Sequence, residues 1–241
     1  MLGVVGEQPL VTVTAMIEAL TSDRRESLKD LLAPAVSRSK HPIVVNSFGR
    51  SGSTVLYKAV VASAVAKGPT ALAERVIRGR AWRLDQHQLA DGRCYKSHDY
   101  PSEHMNPRAR VLYIFGDPLA AIRSVIRMVE RMGQDWMDEH CAHLRVPPCA
   151  PADLMKRDAL EIERHLSAWL AQTRNPVAFL RYEKLWDLTK ELSDFLGFPI
   201  ELPAKQARAA AAGSAATDRL HEVHDGAVRM MQKLPDWSVR P

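Results

Sequence analysis

Four short strand-like segments, three of them apolar runs, divide the chain, and each stops at small or polar residues. Ile43-Val44-Val45 breaks into Asn46-Ser47-Phe48-Gly49-Arg50-Ser51-Gly52-Ser53-Thr54. Residues 93–97 end at His98-Asp99-Tyr100-Pro101. Residues 110–115 stop at Gly116-Asp117-Pro118, and residues 176–182 carry Val177-Ala178-Phe179-Leu180. Runs of this length, rich in β-branched and aromatic residues and bounded by turn formers, predict buried strands. Between them, apolar positions recur at helical spacing. They predict helices over 53–66, 70–79, 119–132, 153–171 and 186–196, and an N-terminal helical segment over 10–35. Thr21-Ser22-Asp23 offers a cap within that first segment. Gly68-Pro69 ends the 53–66 helix, Pro118 suits a first helical turn, and Gly197 followed by Pro199 suits a C-terminal stop. Residues 133–151, with Pro147, Pro148 and Pro151, read as a loop over the body and a candidate lid. The alanine-rich 204–216 stretch reads as a helix or a mobile loop.

Strands alternating with helices predict an α/β fold: a three-layer sandwich with a central parallel sheet flanked by helices. Such sheets bind ligands beyond the carboxyl ends of their strands. The loop after Asn46, His98, Gly116-Asp117 and Tyr182 all fall at that edge. The 241 residues suit one domain, with an N-terminal helical segment (1–40), a core (41–200) and a C-terminal segment (201–241).

Composition narrows the partners. Hydrophobic residues at 46 % and charged residues at 25 % are ordinary for a globular protein. The net charge of +5 is interspersed with acids and forms no basic tail, so nucleic acid is not an expected partner. No run approaches the roughly 20 apolar residues of a membrane helix, so no span is expected. Cys94, Cys141 and Cys149 show no CxxC spacing, which favours reduced thiols and a cytoplasmic location, although Cys141 and Cys149 could approach each other. His140, Cys141 and His143 cluster locally but lack a second ligand group at zinc spacing, so no metal is expected.

Strand, Gly/Ser loop with a cation, then helix is the layout of a phosphate cradle. Amides at a helix start converge on one point, and the helix dipole favours an anion there. Arg50 adds a forked positive donor. The loop is not a Walker A sequence: Gly49 and Gly52 are three apart, and Ser53 stands where the lysine belongs.

Four segments in order resemble the motifs of the sulfotransferase family. Gly49-Arg50-Ser51-Gly52-Ser53-Thr54 is similar to its 5′-phosphosulfate loop. Lys96-Ser97-His98-Asp99-Tyr100-Pro101 is similar to the segment carrying its catalytic histidine. Residues 111–125 resemble its 3′-phosphate motif, and residues 180–197 its later Y-E-(D/E)-L…FLG segment. Together they span about 41–198. The resemblance implies a P-loop NTPase-like fold and 3′-phosphoadenosine 5′-phosphosulfate as co-substrate. It implies transfer of a sulfuryl group to a hydroxyl or amine of a small-molecule or carbohydrate acceptor. It makes His98 the general base, and gives Arg50 and Lys96 the transferring group. Ser51, Gly52, Ser53 and Thr54, with Gly49, would hold the 5′-phosphate; Ser124 would hold the 3′-phosphate, and Tyr182 would lie near the adenine.

The chain departs from that family at three points. Gly116 stands where the family has an arginine before Asp-Pro, with Arg123 or Arg127 as candidate replacements. Val55 stands where an aromatic often stacks on adenine. The late R-K-G segment is absent, and Arg219 or Arg229 could act in its place. Two other readings remain open: a small-molecule kinase using Asp117 for a metal, and a non-catalytic nucleotide-binding member of the same fold. Trp82, Trp136, Trp169 and Trp186 read as core or lid aromatics, and segments 67–92 and 133–152 as walls of the acceptor pocket.

Overall fold

The computed structural model describes residues 21–66, 70–206 and 215–241. Its centre is a six-stranded sheet in the order β2-β3-β1-β4-β5-β6. The strands are β1 (Ile43–Asn46), β2 (Arg78–Arg80), β3 (Cys94–Ser97), β4 (Arg110–Phe115), β5 (Val177–Arg181) and β6 (Trp237–Arg240). The first five run parallel, whereas β6 pairs antiparallel with β5, Leu180 opposite Trp237. The expected parallel sheet is therefore mixed. The two edge strands, β2 and β6, are short and partly exposed, so neither carries the apolar run that marked β1, β4 and β5.

Side chains alternate across the sheet and build a core on each face. Val44, Tyr95, Val111, Tyr113, Phe115 and Phe179 face one side. There they meet α4 (Pro118–Met132), α5 (Gln134–His143) and α6 (Ile162–Ala171), together with α8 (Ala215–Val223) and α9 (Asp225–Lys233). Ile43, Val45, Cys94, Leu112, Ile114 and Leu180 face the other, against α2 (Ser53–Ala64), α3 (Thr70–Ile77) and α7 (Thr189–Leu196). Helices thus cover both faces of an α/β sheet. An outlying helix, α1 (Ser22–Val36), is tied to the sheet by the buried Arg93, which reaches Glu26 at 2.8 Å and Asp30.

Several boundaries move from those expected. Residues 133–151 are not a loop, because α5 occupies their first half; Gly133 at φ +85 separates it from α4 and the prolines follow it. The 153–171 helix is broken. A 3-10 turn (Pro151–Met155) comes first, and α6 begins only after Glu161, whose φ of +50 interrupts helical geometry. The 186–196 helix splits into a 3-10 turn (Tyr182–Asp187) and α7. The 70–79 helix ends at Ile77, and Arg78 enters β2. At the N-terminus α1 starts at Ser22, and the expectation over 10–20 lies outside the described residues, as does that over 207–214. No helix among the described residues is long and apolar enough to cross a membrane.

Candidate active site

Parallel register brings the expected site to one edge. Asn46 pairs with Ser97 and Phe115 with Arg181, so the residues just beyond, Ser47 with His98 and Gly116 with Tyr182, become neighbours. The loop after β1 turns through three left-handed residues, Gly49 (φ +96), Arg50 (φ +54) and Gly52 (φ +89), before α2 starts at Ser53. Gly49 cannot be replaced freely: a Cβ there would lie 2.4 Å from Cε1 of His140. At Gly52 a Cβ would lie 2.0 Å from the Tyr182 ring. Two serines knit the turn internally. Ser47 Oγ accepts from Gly49 N–H at 3.1 Å, and Ser51 Oγ donates to the Gly49 carbonyl at 3.0 Å. The amides of Val55 and Leu56 turn back to the Gly52 carbonyl. Those of Ser53 and Thr54 precede them and have no acceptor within the helix by its geometry.

A cavity of about 690 Å³ opens over this edge. Its floor holds Arg50, Gly52, Ser53, Thr54, Lys96 and His98, and one wall holds Arg123, Ser124 and Arg127 from α4. Gly49, Ser51 and Tyr182 do not line the cavity. Tyr182 braces Gly52 and meets Trp186 edge-on at 5.7 Å. Lys96 Nζ donates to Thr54 Oγ1 at 2.8 Å, and Arg50 Nε to Ser124 Oγ at 3.0 Å, so the loop is joined to both β3 and α4. Arg123 stands 3.7 Å from Asp117, while its Nε and Nη1 are buried without a hydrogen-bond partner. Asp117 itself caps α4, accepting from Leu119 N–H at 2.9 Å. Gly116 is turned away, lining a separate hollow of about 240 Å³ with Arg181 and Glu183. Arg219 hydrogen-bonds to Met155 O and Glu222, and Arg229 pairs with Asp225; neither lines the main cavity.

His98 is held in a defined state. Its Nδ1 lies 2.8 Å from the Ser47 carbonyl. A carbonyl only accepts, so Nδ1 carries the proton and Nε2 is left as the basic nitrogen. Burial, with Lys96 and His140 nearby, holds the imidazole well below its ordinary range and therefore neutral. Lys96 is itself pushed down by burial and by Arg50, Arg80 and Lys58. Behind His98 lies a buried frame. His165 Nε2 stands 3.1 Å from the His98 carbonyl, and its Nδ1 lies 2.9 Å from Tyr113 Oη. The Asp99 carbonyl accepts from Asn46 Nδ2 and Trp169 Nε1, both at 3.0 Å. The Asp99 carboxylate accepts from the amides of Leu84 and Tyr100, and from Arg145.

The remaining wall comes from α5 and from Trp82. Trp136, Glu139, His140 and His143 project from one helix into the cavity. Trp82 lies between two imidazoles, stacked on His143 at 4.0 Å and on His98 at 5.7 Å. His140 stacks on Trp136 at 5.0 Å and meets His98 edge-on at 6.2 Å. Burial, with His143, Arg50 and Lys96, brings His140 down to about 4. The sequence signal for this wall was the three- and four-residue spacing of Trp136, His140 and His143, hidden by the surrounding glycine and prolines. No group of three or more His, Cys, Asp or Glu side chains among the described residues could hold a metal ion. No protein-family model matches the chain, and no curated protein matches it.

Proposed function

We propose that the cavity takes 3′-phosphoadenosine 5′-phosphosulfate and that the protein transfers its sulfuryl group to an acceptor hydroxyl or amine, on a sheet related to that of the P-loop enzymes. One observation carries the reading: a neutral His98 with its basic nitrogen fixed stands in the same cavity as Arg50, Lys96 and the start of α2. Four cations (Arg50, Lys96, Arg123 and Arg127) face two carboxylates (Asp117 and Glu139), which suits a ligand carrying several negative charges. The volume suits a ligand of nucleotide size.

The donor supplies an activated SO₃ group; the chain positions it and balances charge. The amides of Ser53 and Thr54 and the Thr54 hydroxyl hold the 5′-phosphate at the start of α2. Arg50 and Lys96 stabilise the charge that grows on the bridging and sulfuryl oxygens. His98 Nε2 receives the acceptor proton as the acceptor atom bonds to sulfur and the bisphosphate leaves. Arg123, with Ser124 and Arg127, takes the role that an arginine at position 116 would have, because Gly116 faces away. Asp117 is committed to capping α4 and to Arg123, which argues against its use for a metal in a kinase.

Calorimetric titration tests the reading. Adenosine 3′,5′-bisphosphate binds without a divalent metal, and Arg50→Ala weakens it. Binding of ATP only with Mg²⁺, and none of the bisphosphate, refutes the proposal.

A further inference from the structure

Cys141, fully buried on α5, and Cys149, in the turn that follows, bring their sulfur atoms to 3.7 Å. Both belong to the core on one face of the sheet, whereas Cys94 is buried in the core on the other. Only one pairing is therefore within reach. The backbone between the two thiols is fixed at several points. Val146 N–H donates to the Cys141 carbonyl at 3.0 Å, and Gln134 Nε2 to the Cys149 carbonyl at 2.9 Å. Arg145, at φ +54, is clamped by Asp85 and Asp99. A disulfide requires the sulfurs to close to about 2.05 Å, a movement within the range of side-chain rotation. Arg145, Pro147 and Pro148 are exposed, so opening of this turn admits a small oxidant.

We propose that Cys141 and Cys149 form an intramolecular disulfide when a small-molecule disulfide is supplied, which makes the α5 wall of the cavity a redox-sensitive element. The Cys141 thiolate attacks one sulfur of oxidised glutathione, and one glutathione thiolate leaves. Cys149 then loses its proton and attacks the Cys141 sulfur of that mixed disulfide, and the second glutathione leaves. Two protein thiols are oxidised and one glutathione disulfide is reduced to two thiols. Cys141 suits the attacking role: the hydrogen bond it shares with Cys149 lowers its thiol below the ordinary range. The bridge would close around Arg145 and restrain the end of the helix that carries Trp136, Glu139, His140 and His143.

The test uses the full chain and does not depend on the nucleotide reading. The protein is incubated with oxidised glutathione, alkylated after unfolding, and mapped by peptide mass spectrometry. The expected product has lost two hydrogen atoms, carries a 141–149 cross-link and retains one alkylatable thiol, Cys94. Its melting temperature rises by about 5–10 °C and returns on reduction, as a short closed loop in a chain of this size implies. Cys149→Ser stops at a mixed glutathione disulfide on Cys141 and loses the shift. Three alkylatable thiols in the treated wild type, a cross-link through Cys94, or a persistent mixed disulfide in the wild type overturns the proposal.

Discussion

Asp99→Asn removes one charge from the frame behind His98 while keeping the side-chain shape. Asp99 is fully buried. One carboxylate oxygen accepts from Leu84 N–H and Arg145 Nη2, both at 2.7 Å. The other accepts from Tyr100 N–H at 2.9 Å and faces Arg145 Nε at 2.5 Å. An amide offers one oxygen, so its NH₂ must face an amide N–H and a guanidinium nitrogen that both donate. A stranded buried donor costs about 1–3 kcal/mol, and breaking a buried ion pair about 3–5 kcal/mol. Arg145 is 31 % exposed, so water recovers part of the second figure, and about 3 kcal/mol is expected in all. In a chain of 241 residues this lowers the melting temperature by about 6–12 °C. Arg145→Ala should lose at least as much, because it leaves the fully buried Asp99 carboxylate without its counter-ion. Thermal and urea melts of the ligand-free protein give both values. A melting temperature for Asp99→Asn within about 2 °C of wild type would show that the four-donor arrangement does not hold Asp99 in solution.

On the proposed reading, His98→Ala lowers turnover by about 10²–10⁴-fold while bisphosphate affinity stays near wild type; unchanged turnover removes His98 from the mechanism. Arg123→Ala weakens adenosine 3′,5′-bisphosphate by about 10–100-fold but adenosine 5′-phosphosulfate, which lacks the 3′-phosphate, far less. Equal losses for both ligands would put Arg123 elsewhere than the 3′-phosphate. Gly49→Ala forces a Cβ against His140 at φ +96 and costs about 1–3 kcal/mol, and adding His140→Ala recovers the steric part. A double variant no more stable than Gly49→Ala itself counts against the contact. Burial holds His140 and His165 at about 4, against about 6.5 when unfolded, so their contribution is intact above pH 6.5 and is lost as pH falls toward 4. Melting temperatures should be flat in mildly alkaline buffer and fall below that point, each imidazole adding a slope of up to about 1.4 kcal/mol per pH unit; a rise on acidification contradicts the assignment.

Three of the central strands, β1, β4 and β5, were legible because they are buried on both faces and read as apolar runs, Val111 to Phe115 most clearly. Their parallel order then fixed where His98, Arg50 and Ser124 would meet. The edge strands were not legible: Arg78-Gly79-Arg80 and Trp237-Ser238-Val239-Arg240 owe their strand state to a neighbour's hydrogen bonds rather than to their own pattern. The helical state of α5 was missed for another reason, although its segment was read as a pocket wall. Its burial depends on contacts distant in sequence, such as Trp82 against His143 and Arg145 against Asp99, which no local window contains. The roles of Ser51 and Tyr182 likewise depend on which way the loop faces. The motif could name the loop but could not say that the Ser51 hydroxyl would be turned inward onto Gly49.

The same packing that obscured α5 bears on how His98 can serve as a base. Its imidazole is held neutral by burial first and by the charge of Lys96 second. A base with so depressed a proton affinity is weak in the ligand-free protein. The proposed donor brings negative charge to Lys96 and Arg50, so occupancy offsets the part of the shift that Lys96 causes and raises the proton affinity of His98. The trapped Nδ1–H prevents the ring from switching tautomer as this happens, because Ser47 O can only accept. On that reading donor binding and base strength are coupled through Lys96, which hydrogen-bonds to Thr54 at the start of α2 and precedes His98 by two residues at the end of β3. Replacing Lys96 with Met should therefore alter both properties: donor affinity falls because a cation is lost, and the His98 pKa in the ligand-free protein rises because that cation no longer repels its proton.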